Sequence, residues 1–435
     1  MSAPERRIPS RNCAGSDSDQ PGSPERPRQA VLNACGTGAW EMVGGIPLVA
    51  RFLHHLNGLG IEEVILLQES GLGSMDLERW RRRMRLRKVK IDGGKNIAAA
   101  ILSTPRLAPR FLYLDGAHLM DPRLMAALSI APVPTLAHIA RDDEANGIVR
   151  AGILSIDDIE TWAEEGIAAL ALRSAPLYPE DVDAFSLEIR GVRTPYFMEV
   201  RSRDDAQEAT RLLIRSQQKF VMDLPAEYID PFFEDPLTHW LCGTAITPNM
   251  VTLAGALVAS LIVWLFWHGC FVAGALLMFA VEILDGVDGK LARTKLHFSW
   301  FGQHEDVIDY FCETMIYVAL GVGLTARYGG WLPCIMTVLM IVSDTTDNVL
   351  STLAGRWHGK SIDLFGPFDV AFRRIGGRRN IYGAIFIVGF VAGFPLQTFT
   401  LAALWAAVTA IVHGIRLLQF GRTSARLSRS VGKLA

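Results

Sequence analysis

Five carboxylates crowd the stretch Leu284–Tyr310: Asp285, Asp288, Glu305, Asp306 and Asp309, with Gly289, Ala292 and Arg293 among them. Apolar segments flank this stretch on both sides. Acids three residues apart lie on one face of a helix. Carboxylates held beside hydrocarbon are costly unless a cation neutralises them. Hard oxygen ligands that converge suit Mg²⁺, with Mn²⁺ as a substitute, and a phosphate can complete the shell. Gly289 and Ala292 leave room for a ligand to approach the helix backbone, and Arg293 offers a fork for phosphate oxygens. The competing reading is a solvated acidic loop between two membrane helices.

The pattern resembles the signature of the CDP-alcohol phosphatidyltransferase family, D-x2-D-G-x2-A-R-x8-G-x3-D-x3-D. Asp285, Asp288, Gly289, Ala292, Arg293 and Gly302 fall in register. After Gly302 one residue is missing. Glu305 and Asp309 keep the i, i+4 spacing of the last two acids, whereas Asp306 keeps the distance from Gly302 but pairs with Tyr310. On a helix Glu305 lies about 40° from Asp309 and Asp306 about 60°. Glu305 and Asp309 therefore take the third and fourth acidic roles, with Asp306 in reserve.

The resemblance implies a transfer from a CDP-alcohol to an acceptor hydroxyl, with release of CMP. Asp285, Asp288, Glu305 and Asp309 would then hold Mg²⁺, and Asp309 would also serve as general base. The CDP pocket would comprise Pro248, Asn249, Asp285, Gly289, Ala292, Arg293 and Ser299.

Six apolar segments are positioned to carry these residues across a membrane: Met250–Trp267, Cys270–Leu284, Val307–Thr325, Trp331–Leu353, Ile381–Phe394 and Leu396–His413. Several fall short of the roughly 20 residues a span needs, so flanking residues must complete them. The connections on one side are short. The other side carries Lys290, Arg293, Lys295, Arg356, Lys360, four arginines at 373, 374, 378 and 379, and the basic end of the chain. Positive charge marks the cytoplasmic side. Both termini and the acidic motif are thus expected on the cytoplasmic face of the cell (inner) membrane, in a multi-pass protein; a homodimer through the transmembrane helices is a separate expectation, not drawn from charge. Arg373, Arg374, Arg378 and Arg379 are candidates for an acceptor phosphate, or else contacts for anionic headgroups. Asp344 and Asp347, inside the fourth segment, are weaker acceptor candidates.

Upstream, residues 29–218 alternate β-prone runs (AVLNA, EEVILLQ, FLYLDG) with amphipathic stretches, the pattern of a layered, Rossmann-like α/β domain. The order resembles sugar-phosphate nucleotidyltransferases, in which a glycine-rich loop with a basic residue cradles a triphosphate. Here Cys35–Glu41 keeps Gly36 and Gly38, but Ala39, Trp40 and Glu41 stand where the cation belongs. Ile46 precedes Pro47 where the family has lysine, and Ala117 replaces an acid while Asp115 persists. Such a loop repels a triphosphate. The expectation is a nucleotidyltransferase fold without its chemistry.

The fusion as a whole resembles bifunctional enzymes that make CDP-inositol and join it to inositol phosphate. The expected organisation is a disordered segment (1–28), a nucleotidyltransferase-like domain (29–218), an interfacial linker (219–247), a six-helix transferase domain (248–420) and a basic tail (421–435). Ser, Pro, Arg and Gly dominate the first segment, which can build no core. Half of the residues are hydrophobic and the net charge is −2, so nucleic acid is not an expected partner. The six cysteines show no CxxC pairing and suggest neither a disulfide framework nor a zinc site. Two other functions stay open: a membrane scaffold with both catalytic halves degenerate, and an active nucleotidyltransferase anchored by the helices.

Overall fold

The structure is a computed structural model that describes residues 26–69, 84–91, 96–141, 148–186, 189–297 and 305–431; of residues 305, 306 and 422–431 only the backbone is described. The expected disordered segment to residue 25, Ser299 and Gly302 lie outside the described residues. The chain divides into two compact units. Residues 1–184 and 193–210 form the first, and 185–192 and 211–435 the second.

The first unit is built on a seven-stranded sheet. Its strands are β1 (Gln29–Asn33), β2 (Glu63–Glu69), β3 (Arg85–Ile91), β4 (Arg110–Asp115), β5 (Thr135–Ala137), β6 (Ala151–Ser155) and β7 (Ala175–Leu177). Their order is β7-β5-β6-β4-β1-β2-β3, all parallel neighbours except β6, which runs against β4 and β5. β1 has no exposed residue because helices cover both faces of the sheet, which explains its unbroken apolar run. Val49, Phe52, Leu53 and Leu56 of the helix Leu48–Gly58 cover one face. Ala98 and Ile101 of Ile97–Leu102 cover the other, with Ile159 and Trp162 of Ile156–Glu164. The α/β class read from the sequence is the class observed.

The second unit is helical. Among the described residues, five long helices and one of 13 residues (α5) carry the apolar runs: α1 (Pro248–Trp267), α2 (Phe271–Thr294), α3 (Glu305–Tyr328), α4 (Leu332–His358), α5 (Arg379–Val391) and α6 (Pro395–Val431). Each coincides with one of the six apolar segments. Among the described residues, three helices are long and apolar enough to cross a membrane: Pro248–Trp267, Val307–Tyr328 and Pro395–Gly421. α5 is apolar but shorter, while α2 and α4 are long but carry acids in their apolar runs. α6 continues as backbone helix to Val431, through most of the stretch expected to be a tail.

The core of the bundle is a phenylalanine and alanine cluster. Phe266 of α1, Phe386 and Phe390 of α5 and Phe399 of α6 are all at least 96% buried. Ahead of α1, Leu224–Tyr228 and Asp230–Cys242 form two short helices. Tyr228, Phe232, Phe233 and Trp240 on them are exposed, the arrangement suited to a membrane interface.

Candidate active site

Residues of four helices line one cavity at the acidic motif. Thr252 on α1, Asp285 and Asp288 on α2, Asp309 and Glu313 on α3, and Arg379 on α5 line one cavity. The first turn of α2 past its apolar run places Asp285 and Asp288 together, as their spacing requires. Asp288 is 4% exposed and accepts a hydrogen bond from the Thr252 hydroxyl at 2.7 Å. Asp285 is more open and accepts from the Arg379 guanidinium. Tyr317 donates its hydroxyl to Glu313 one turn earlier on α3. Pro248 opens α1 one turn before Thr252, which places Pro248 and Asn249 at the end of α1 nearest this site.

Glu313 was not among the residues singled out from the sequence. Glu305, Asp309 and Glu313 recur every four residues, so the acidic face of α3 runs one turn past the signature. That repeat was the available signal. Glu305 and Asp306 lie at the start of α3, and their side chains are outside the described residues.

The donors facing the cavity are hard oxygens on two helices, a set that suits Mg²⁺. Among the described residues no three acids are drawn in around a single point, and Arg379 holds Asp285 with its own positive charge. The donor chemistry fits the ion, and Arg379 must yield to it.

A buried ion cluster fixes α2 from behind. Lys290 Nζ lies 2.8 Å from Glu234 Oε2 and 2.6 Å from Asp235 Oδ1, with Lys290 and Glu234 both over 90% buried. Lys290, counted from the sequence among the loop cations, is instead part of this cluster. Gly286 lets the two elements approach: a Cβ there would sit 1.8 Å from Glu234 Oε1. Gly289 has no comparable neighbour, its Cβ position meeting only the Arg293 guanidinium, with Nη1 nearest at 3.4 Å. The Lys295 ammonium then donates to the carbonyls of Thr244 and Ile246, both at 2.8 Å, tying the end of α2 to the segment that leads into α1.

The four candidate acceptor arginines separate into three environments. Arg374 is half-exposed and pairs with Glu227 at 3.3 Å. Arg379 belongs to the acidic cavity. Arg373 and Arg378 converge on Asp363, a carboxylate 2% exposed, at 3.5 and 3.3 Å. Arg190 reaches the same carboxylate at 3.3 Å, and Arg373 also pairs with Asp223 at 3.4 Å. Burial opposes ionisation of Asp363, but Arg378, Arg373 and Arg190 outweigh it and hold its pKa below the ordinary carboxylate value. Of the two acids inside α4, Asp347 bonds to the His413 ring, and Asp344 accepts from Asn348 at 3.3 Å.

In the first unit the loop Cys35–Glu41 packs inward. Thr37–Trp40 forms a 3₁₀ turn, Ala39 is fully buried, and the Trp40 indole donates to the Ala34 carbonyl at 3.0 Å. Gly38 is required by packing, since a Cβ there would lie 1.9 Å from the Val200 carbonyl oxygen. Asp115 sits 3.3 Å from His118 at the end of β4. Burial, then Glu69 and Asp115, push the Cys35 thiol up to about 11, so this loop faces acids.

Residues 245–413 match the CDP-alcohol phosphatidyltransferase family. That match covers less than half of the chain. An uncharacterized protein of Aquifex aeolicus is 27% identical over 126 residues, covering 28% of this chain and 64% of that protein. The bifunctional IPC transferase and DIPP synthase of Rubrobacter xylanophilus is 27% identical over 158 residues, covering 36% of this chain and 33% of that protein. The chain therefore spans less than two thirds of the length of either curated relative. Among solved structures, the inositol-1-phosphate CTP transferase from T. maritima is 14% identical over 42% of this chain and 92% of its own, with a TM-score of 0.30. A UTP-bound UGPase from Acinetobacter baumannii is 11% identical over 42% of this chain and 92% of its own, with a TM-score of 0.31. The acidic cavity of α1, α2, α3 and α5 lies inside the matched residues.

Proposed function

We propose that this protein transfers a substituted phosphate from a CDP-alcohol to a hydroxyl of a polyol phosphate such as inositol phosphate, releasing CMP. The observation that carries the reading is the single cavity that Asp285, Asp288 and Asp309 line within the matched residues. The acceptor class follows from the arginines gathered at Asp363, and from the likeness to a protein named for IPC transfer and DIPP synthesis.

Asp285, Asp288, Glu305 and Asp309, with Asp306 in reserve, are the residues that hold Mg²⁺ or Mn²⁺ in this reading. When bound, the ion supplies charge neutralisation at the donor pyrophosphate. Arg293, with Gly289 and Ala292 beside it, binds the cytidine-side phosphate, and Pro248, Asn249 and Ser299 border the nucleotide. Asp309 takes the proton of the acceptor hydroxyl. The acceptor oxygen bonds to the distal phosphorus, and the bond from that phosphorus to the bridging oxygen breaks. CMP departs with the electron pair. Asp309 works by its position beside the acceptor hydroxyl.

In this account the six helices form a multi-pass bundle in the cell (inner) membrane, with both termini and the site on the cytoplasmic side. The domain pairs as a homodimer through its helices. The first unit makes no donor, so the CDP-alcohol is supplied by another enzyme. The test is product analysis by mass spectrometry of purified protein given labelled CDP-inositol and inositol 1-phosphate, with and without Mg²⁺. A phosphodiester product and CMP in equal amounts, only with metal, is the expected result. No product from any CDP-alcohol would leave the protein a membrane scaffold.

A further inference from the structure

The acidic cavity neutralises itself in part. Among the described residues Asp285, Asp288, Asp309 and Glu313 supply its four carboxylates, and Arg379 its one guanidinium. Arg379 gives that charge to Asp285. The proposed reaction uses Asp285, Asp288 and Asp309 and leaves Glu313, one turn further along α3, without a part.

Glu313 is held by a neutral partner. The Tyr317 hydroxyl donates to its Oε1, and among the described residues no Lys, Arg or His is paired with this carboxylate. Tyr317 is 1% exposed, and its ring meets that of Tyr382 edge-on with centroids 6.2 Å apart. This contact joins α3 to α5 about one turn beyond Glu313 on the first helix and about one turn beyond Arg379 on the second. Arg379 accordingly feels Glu313 more strongly than any carboxylate except Asp285. The Arg379 Nε has no hydrogen-bond partner among the described residues, so the bond to Asp285 leaves one of its donors unused.

A divalent ion on Asp285 would come within a few ångströms of the guanidinium, and like charges that close repel strongly in a half-buried cavity. A displaced guanidinium that stays buried needs another anion, because an unpaired buried charge is strongly destabilising. Glu313 meets the need: it lines the same cavity, has no cation of its own, and is oriented by Tyr317.

We infer that Glu313 is a positioning residue that receives Arg379 when a divalent ion takes Asp285. This rests on the metal-dependent transfer proposed above, and it gives Glu313 no contact with the ion or the substrate. Arg379 competes with the ion while it is paired with Asp285 and stops competing once Glu313 holds it. Both arrangements keep the guanidinium paired, so the site exchanges its internal cation for the ion without leaving a buried charge alone. The acidic repeat of α3 thus ends in a residue that acts through Arg379.

The test titrates Mn²⁺ into the full chain in detergent and follows the free ion by electron paramagnetic resonance. CMP release from CDP-inositol and inositol 1-phosphate is measured on the same preparations. Arg379→Gln should bind Mn²⁺ about tenfold more tightly than the wild type, because the competitor is gone. Glu313→Gln should bind it about tenfold more weakly, because Arg379 then has only Asp285; tenfold is the scale of one hydrogen bond to a charged group. In the Arg379→Gln background, Glu313→Gln should change the affinity less than about threefold, as a double-mutant cycle requires of two residues that act together. Arg379→Gln that binds Mn²⁺ no more tightly than the wild type overturns the inference by itself. Equal weakening by Glu313→Gln with and without Arg379 overturns it too, since Glu313 would then act on the ion directly. A wild type that releases CMP while this order breaks down refutes the inference and spares the transferase reading. A wild type that binds Mn²⁺, with the variants in the expected order, yet releases no CMP refutes the transferase reading instead.

Discussion

Replacing Lys290 by methionine tests how the acidic helix is held. Lys290 is the cation between Glu234 and Asp235 on the helix before α1, at 2.8 and 2.6 Å, and both Lys290 and Glu234 are over 90% buried. Methionine keeps the length of the side chain and removes its charge. Two carboxylates then remain without their cation, and breaking a buried pair from one side costs about 3–5 kcal/mol. For a unit of this size each kcal/mol lowers Tm by about 2–4 °C, so the expected fall is about 6–20 °C. Burial already raises the pKa of Glu234 above its ordinary value, with Lys290 pulling the other way. Without the lysine the folded pKa rises further above the unfolded one. The resulting penalty is absent below the unfolded carboxylate pKa and grows as pH rises through the folded value. Thermal unfolding in detergent should therefore show a larger deficit at pH 8 than at pH 5. Adding Glu234→Gln should recover part of the loss. A deficit below about 2 °C at pH 8, less than 1 kcal/mol on the same scale, or one independent of pH, would refute the reasoning.

Three further outcomes are expected. Glu305→Gln should lower kcat at least about tenfold more than Asp306→Asn, because only Glu305 keeps the i, i+4 relation to Asp309; a steady-state comparison with the reverse ranking contradicts this. Burial, then Glu234 and Asp223, raise Asp230 to about 7, so stability present at low pH is lost as pH rises through 7. Asp230→Asn should flatten that fall between pH 6 and 8 in a Tm series, and an unchanged slope would show that another group titrates. Full-length protein given CTP, Mg²⁺ and polyol phosphates should release no pyrophosphate above an Asp115→Asn control. Release above that control restores the bifunctional reading.

The sequence carried the placement of the helices well, because each apolar run is ended by its own signal. Pro248 starts α1, Gly269 separates α1 from α2, and Gly329-Gly330 ends α3. It also carried the pairing of Asp285 with Asp288, since spacing along one helix is local information. Contacts between distant segments were not legible. Nothing in the sequence around Lys290 says that Glu234 and Asp235, more than fifty residues earlier, will meet it. The four arginines 373, 374, 378 and 379 look alike as a basic run, yet the start of α5 sends Arg378 to Asp363 and Arg379 to Asp285. Glu313 was within reach of the sequence, as the next member of a four-residue repeat, but the family spacing ended one turn before it. Gly38 illustrates the opposite case. It has the look of a phosphate loop, and its place is set by the Val200 carbonyl.

The central claim is that the acidic cavity consumes a CDP-alcohol. CMP release by purified protein, measured with a CDP-alcohol, a polyol phosphate and Mg²⁺, tests it most directly when wild type and Asp285→Asn are run side by side. The account predicts steady release by the wild type, none in excess chelator, and a loss of at least about a thousandfold in Asp285→Asn, the scale on which electrostatic groups act in such transfers. The variant should still fold in the membrane and melt cooperatively. Release by Asp285→Asn at the wild-type rate, or release that persists in chelator, would contradict the account.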